Sequence, residues 1–440
     1  MRDLLVAAII FGSIPFIFRR PFIGALIWCW ISYMVPHRLG WGFAYTLPVA
    51  QIIAICFLTA YLFSKEPKKI PWTPVTITLL LFLGWMCITT VIAPTSELKM
   101  IRFEKVMKIQ LITFIILALL TSRERIEQAI WVIALSIGFF GFKGGIFTIT
   151  SGGGGTVWGP PGGFFSGNNE LGLTLLIIIP LLYYLISQSS NRWIRYGLFA
   201  TIGLSLISIL GTQSRGALVA AICLGTFLWL KSSKKLYISL VFAILIPLSL
   251  EVMPQQWFDR MGTILNDKKE DYDGSVQGRF NSWHMAFNLA KDNIFGGGFH
   301  ATNHQNFILY APDPLDYHDS HSIYFQVMGQ HGFIGLMLFL LLGLMAWRTA
   351  NNIIRASKLH QDLQWAANLA RMIQCSLIAY GSGGAFLGLA YFDLPYHLII
   401  TLVALEQIVL RKSAPNSKMS QQPNFEIHKK MAEQGMKAAE

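Results

Sequence analysis

The chain has 440 residues, 53% of them hydrophobic and only 13% charged. A soluble protein carries about a quarter charged residues, so a water-soluble globular enzyme is excluded. The formal net charge of +12 would suit nucleic acid, but the basic residues are dispersed in short loops between apolar runs. That pattern reports orientation in a membrane, not a nucleic-acid partner.

Apolar segments near 4–18, 22–35, 44–64, 74–93, 106–121, 126–149, 170–188, 195–211, 216–230, 236–253, 322–347, 372–390 and 395–410 approach the ~20 residues that cross a hydrocarbon core. The first two are short and read equally well as a hairpin, so the expectation is twelve or thirteen transmembrane helices. The first segment, LLVAAIIFGSIPFIF, is followed by Arg19-Arg20-Pro21 and not by a small-residue cleavage site, so it reads as retained. No internal repeat is evident. The fold class expected is an all-α polytopic membrane protein. A single domain covers 1–411, a large hydrophilic loop (254–321) is inserted between spans, and the polar tail 412–440 has the composition of a mobile extension. All five cysteines (Cys29, Cys56, Cys87, Cys223, Cys375) fall inside apolar segments without a CxxC, as inert small hydrophobes do.

Assigning alternate loops to opposite sides separates the charges. The set containing Arg19-Arg20, KEPKK, SRER, NRWIR, KSSKK, Arg348 to Arg371 and the tail carries 22 of the 35 Lys and Arg residues. That excess places this set, and the C-terminus, in the cytoplasm. The opposite, outer side then holds SGGGGTVWGPPGGFFSGNNELG (151–172), GTQSRGA (211–217), the loop 254–321 and AYFDLPYH (390–397). Gly- and Pro-rich backbone at membrane depth is tolerated only where protein covers it or it lines a wet cavity. The unusual polar residues therefore gather around an outward-opening site.

In chain order, Lys143 is a charge close to an apolar span and so a suspect for function. It also reads as a side chain reaching the interface. Asn168, Asn169 and Glu170 suit either the cap of the seventh span or substrate contact. Arg215 occupies a very short turn, placed either to snorkel or to grip a phosphate through two parallel hydrogen bonds. Arg279 opens GRFNSWHMAFNLAKD, where Phe280, Trp283, Met285, Phe287 and Leu289 suggest an amphipathic helix along the membrane surface. His321, at the mouth of an apolar helix, is either a headgroup-facing residue or a base. Cations beside it would keep the imidazole neutral and able to accept a proton. Asp319 and His318 lie one turn upstream, with Asp319 in a position to orient His321. Asp393 and His397 share the last outer loop. His300, His304 and His331 lack companions at metal-ligand spacing, so neither a metal nor another cofactor is expected.

The run from His321 has the form H-S-x9-G-x-x-G, with Ser322, Gly332 and Gly335 in place. It resembles the signature of the O-antigen ligase and polymerase superfamily, whose other two positions match SRGA (214–217) and RFNSW (279–283). The blocks KGGIFTITSGGGGTVWGPPGGFFSGNNELG, PHRLGWGFAY and YAPDPLDYHDSHSIYFQVMGQHGF resemble the exosortase A-associated O-glycosylation ligases, over about residues 20–410. The resemblance implies a metal-independent, GT-C-like transfer at the periplasmic face of the bacterial inner membrane. The donor would be a glycan on undecaprenyl diphosphate, and the acceptor a hydroxyl of a glycan, lipid or protein. By motif position, Arg215 and Arg279 would hold the diphosphate, and His321 would activate the acceptor or serve as a third phosphate ligand. A polymerase that extends the lipid-linked chain shares these motifs, as would a protein O-oligosaccharyltransferase. A transporter of lipid-linked sugars fits less well, because it would show repeats and mid-membrane charge.

Overall fold

Without water to satisfy backbone groups, a long apolar chain crosses a bilayer as helix. Every regular element among the described residues of the computed structural model is helical. These residues are 1–94, 96–231 and 274–413, with scattered positions from 235 to 258. The helices are α1 (Arg2–Arg19), α2 (Pro21–Met34), α3 (Val49–Phe63), α4 (Pro74–Ile92), α5 (Glu97–Leu119), α6 (Arg123–Thr150), α7 (Asn168–Gln188), α8 (Arg192–Gly211), α9 (Arg215–Lys231), α10 (Gly274–Asp292), α11 (His304–Tyr310), α12 (Ile323–Ala356), α13 (Gln364–Gly384) and α14 (Asp393–Ser413).

Among the described residues, six helices are long and apolar enough to span a membrane: α4, α6, α7, α8, α12 and α14. The other predicted segments that lie among the described residues are helical too but shorter or more charged. The first half of α5, for example, carries Glu97, Lys99, Arg102, Glu104, Lys105 and Lys108. The expected twelve or thirteen spans are therefore represented by six that qualify on length and composition alone. The predicted span 236–253, the start of the long loop and the tail from 414 lie outside the described residues.

Side-chain contacts tie the loops into two groups, one at each end of the bundle. At one end the Asp3 carboxylate accepts hydrogen bonds from the amides of Gly42 (3.1 Å) and Ala44 (3.2 Å), so the start of α1 lies beside the loop after α2. There too Lys99 Nζ donates to the Thr90 and Ala93 carbonyls (2.8 Å each), closing the end of α4. Arg102 donates to the Phe299 carbonyl (3.2 Å). At the other end Arg125 pairs with Glu66 through both terminal nitrogens (2.8 Å each). Arg123 bonds Gln188 (3.1 Å) and Lys412 bonds Asp362 (3.0 Å). An exposed pair such as Lys412–Asp362 adds at most about 1 kcal/mol; the value of these contacts here is positional.

Small residues bring the central helices together, as in other membrane bundles. Gly141, Gly144 and Gly145 of α6 lie against Ser205, Ser208 and the Leu204 backbone of α8, with no room for a side chain at Gly145.

The α12 helix is not a straight rod. Gly332 has φ 66° and ψ −172°, a conformation essentially confined to glycine, and a Cβ there would collide with the Ile294 carbonyl oxygen. Tyr324 and Phe339, about 22 Å apart along a straight helix, have ring centroids 6.4 Å apart. The chain therefore turns sharply at Gly332, and 323–331 is a short arm set against the span 333–356. Backbone groups released by the break find partners. The Gly329 carbonyl accepts from Gly297 N (2.9 Å) and the His331 carbonyl from Trp85 Nε1 (2.8 Å), while His331 Nδ1 lies 2.7 Å from Thr89 Oγ1. This corrects the sequence reading of one uninterrupted helix with His321 at its mouth. The motif positions Gly332 and Gly335 shape the elbow, and Gly335 is packed against His331 and Trp85. Gly332→Ala is expected to destabilise the fold by about 1–3 kcal/mol from backbone strain alone, with the carbonyl clash in addition. A thermal midpoint equal to that of the wild type in detergent would contradict this account.

Candidate active site

The turn between α8 and α9 is built from buried polar residues. Thr212, Gln213 and Ser214 are all enclosed, and Ser214 Oγ accepts from Ala217 N (3.1 Å), capping α9. That cap fixes Arg215 as the first residue of α9, half-buried. The start of α7 is tied to the same turn, because Asn168 Nδ2 donates to the Thr212 carbonyl (2.9 Å). Asn168 is thus a tie between helices and not the cap that the sequence suggested; Gly167 occupies the cap position. Asn169, the next residue, is half-buried beside it, and Glu170 folds back over Gly167.

The motif RFNSW supplies the opposite wall. Arg279 stands half-buried on α10, and the three residues after Phe280 grip the irregular segment leading to His321. Asn281 Nδ2 donates to the carbonyls of Asp313 (2.7 Å) and Asp316 (2.9 Å), and its Oδ1 accepts from Asp313 N (2.9 Å). Ser282 Oγ donates to the His318 carbonyl (2.6 Å). Trp283 Nε1 donates to the Ser320 carbonyl (2.7 Å) while its ring stacks on Phe325 (4.8 Å, 5°). Met285, Ala286, Leu289 and Ala290 form the buried face of α10, and Phe280 and Phe287 are exposed, the two-sided pattern expected of a surface helix.

His321 is held at the end of this clamp with φ 41°, a left-handed conformation that non-glycine residues adopt infrequently, histidine more readily than most. The buried hydroxyls of Ser320 and Ser322 flank it, neither engaged with another protein group. Ser322 starts α12 through its carbonyl, which accepts from Gln326 N (2.8 Å). Four charged or titratable groups act on the imidazole: Asp319, Arg279, Glu170 and His318. Burial lowers its pKa below the usual 6.5, and Arg279 and His318 push the same way; Asp319 and Glu170 oppose them without reversing the shift. The imidazole is therefore neutral at physiological pH, with two carboxylates nearby to stabilise a proton once it arrives.

The structure thus brings His321, Arg279 and Asp319 together, and adds Glu170 from a helix some 150 residues away. Arg215 stands beside the first turn of α7, since Gly172 packs on Ala217, Thr212 and Ser214. Asp319 accepts from Ser320 N (3.0 Å) and lies against Gly388, and Asp316 pairs with His318 (2.7 Å). Two predicted residues have other surroundings. Lys143 is exposed on α6, about 200° around the helix from Gly141 and so turned away from α8. Asp393 is buried at the start of α14, where it accepts from Ser32 and lies near Lys105; beside it Tyr33 Oη is 2.6 Å from His397 Nδ1. Asn281, Ser282 and Trp283 were visible only as motif letters, although successive polar and indole groups after a site arginine were the available signal.

Apart from Glu170, this group lies between 215 and 322, inside the range of one family match. Residues 200–340 match the O-antigen ligase family. Residues 1–190, including Lys143, Asn168, Asn169 and Glu170, match a family of unknown function (DUF5935). No curated protein matches the chain. The O-antigen ligase segment supports a glycosyltransferase-like, ligase- or polymerase-type function in the membrane, with a lipid-linked glycan and an acceptor as partners. It contains Arg215, Arg279, His321, Ser322, Gly332 and Gly335, so the clamp, the imidazole and the elbow all fall within it.

Proposed function

We propose that this protein is a GT-C-like glycosyltransferase of the bacterial inner membrane, akin to the exosortase A-associated ligases. It moves an oligo- or polysaccharide from undecaprenyl diphosphate to an acceptor hydroxyl at the periplasmic face. The neutral imidazole of His321 takes the acceptor proton as the oxygen attacks the anomeric carbon. The bond from that carbon to the diphosphate oxygen breaks, and the electron pair leaves with the diphosphate. Arg215 and Arg279 bind the diphosphate and stabilise the charge that grows on it, and Asp319 and Glu170 stabilise the imidazolium. The observation that carries this reading is the convergence on His321 of Arg279, Asp319 and Glu170 from three separate segments.

An apolar recess of about 210 Å3 supports it further. Its lining includes Ile323 and Tyr324, two and three residues after His321, together with Phe339, Gly343 and Trp347. A polyisoprenoid tail seated there would leave its diphosphate at the imidazole.

The test is the glycan left behind by a gene deletion. A strain lacking this ligase accumulates long undecaprenyl-linked polymer, whereas accumulation of single repeat units would assign the protein to polymerisation instead. The pH profile tests the base. Because the folded pKa of His321 is lowered, activity persists above it and falls only as pH drops below the ordinary 6.5. Asp319 raises that pKa, so Asp319→Asn shifts the acidic limb to still lower pH; a shift to higher pH would contradict the assignment.

A further inference from the structure

A second cavity lies in the segment matching the family of unknown function. It is a groove of about 730 Å3 between α2, α3 and α5, closed on one side by Gly162–Phe164. On α5 the lining runs from Ile101 through the charged Glu104, Lys105 and Lys108 to the apolar Ile109, Leu111 and Ile112. Arg38, just beyond the end of α2, stands at the rim with Glu104, Lys105 and Lys108 of α5. About 10 Å further along their helices, Trp28 and Ile112 line the groove, with Leu58 of α3 also set deep. Polar groups thus occupy the end of the bundle that carries His321, and apolar side chains the interior. That is the polarity profile of one leaflet of a bilayer.

The rim cations are held in place. Arg38 lies over the Tyr45 ring (4.6 Å) and Lys105 over the Phe164 ring (4.0 Å), and the buried Asp393 carboxylate lies near Lys105 from behind. Lys108 is paired with Glu104 (2.8 Å). Three cations therefore stand against two carboxylates, Glu104 and Asp393, and the rim is net positive by one charge.

We infer that this groove holds an anionic glycerophospholipid of the leaflet facing the site, its headgroup at Arg38 and Lys105 and its acyl chains against Trp28, Leu58 and Ile112. The charge of the rim selects the headgroup, and the apolar lining from Trp28, Leu58 and Ile112 receives the chains. The site is separate from the His321 group and does not rest on the transferase reading.

Native mass spectrometry of the full chain, exchanged into phosphatidylglycerol or phosphatidylcholine, tests this directly. One phosphatidylglycerol is expected to survive removal of bulk lipid, retained several-fold better than phosphatidylcholine. Arg38→Gln with Lys105→Gln should reduce phosphatidylglycerol retention roughly tenfold and leave phosphatidylcholine retention unchanged. Ala54→Phe, which fills the groove wall without altering charge, should displace the lipid as well. Each variant is compared at a thermal midpoint matching the wild type. Equal retention of the two lipids, or retention unaffected by both variants, would overturn the inference.

Discussion

His321→Ala is expected to reduce glycan transfer by about 10²–10⁴-fold, the usual contribution of a positioned general base, without loss of folded protein. The side chain is half-buried and follows an irregular segment held by Asn281, Ser282 and Trp283, so its removal leaves the clamp intact. Alanine is less suited than histidine to φ 41°, and a modest drop in thermal stability is therefore expected alongside the lost activity. The pH dependence separates base from phosphate ligand. A base works neutral, and burial together with Arg279 holds the imidazole neutral, so wild-type activity is flat or rising through pH 7. A histidine needed as a cation would instead lose activity as pH rises through its pKa. Transfer by His321→Ala within threefold of wild type would remove the residue from the chemistry.

The second large effect is expected at Arg215. A guanidinium meets a diphosphate through two parallel hydrogen bonds, which lysine cannot reproduce. Arg215→Lys keeps the charge and loses the fork, at a cost of about 1.5–3 kcal/mol for a hydrogen bond to a charged group. That corresponds to a rate reduced by about 10- to 150-fold. Because charge on the diphosphate increases as the glycosidic bond breaks, the loss should fall more on kcat than on KM. Arg215 sits at the N-terminus of α9, where backbone amides and the helix dipole already favour an anion. Arg215→Ala should therefore retain residual donor binding while losing turnover. A change confined to KM would make Arg215 an anchor for the resting donor only.

Composition carries the membrane character of the fold, because apolar runs of this length have few other uses. The break at Gly332 was not legible, since VMGQHGFIGLMLF reads as continuous apolar helix and glycine is common in such helices. Its cause is a distant carbonyl, that of Ile294, which no local pattern announces. The three motif residues, Arg215, Arg279 and His321, could be picked out because polar groups are costly in this setting and their spacing matched a known signature. Glu170 looked like helix-start chemistry because an acidic residue in a first turn suits the helix dipole; its effect on His321 joins segments some 150 residues apart, beyond the reach of any local pattern. Asp393 could be assigned to the outer loops from the sequence, but its partners could not. It lies at the same end of the bundle as His321, but its neighbours Ser32 and Lys105 belong to helices at the far end of the sequence.

The most direct test of the account is a reconstituted reaction with the purified full-length protein, an undecaprenyl diphosphate-linked glycan and a hydroxyl acceptor, in the presence of excess EDTA. The account predicts glycosylated acceptor and free undecaprenyl diphosphate in equal amounts, at the rate seen without chelator. No transfer from a verified donor, or transfer that EDTA abolishes and divalent metal restores, would contradict it.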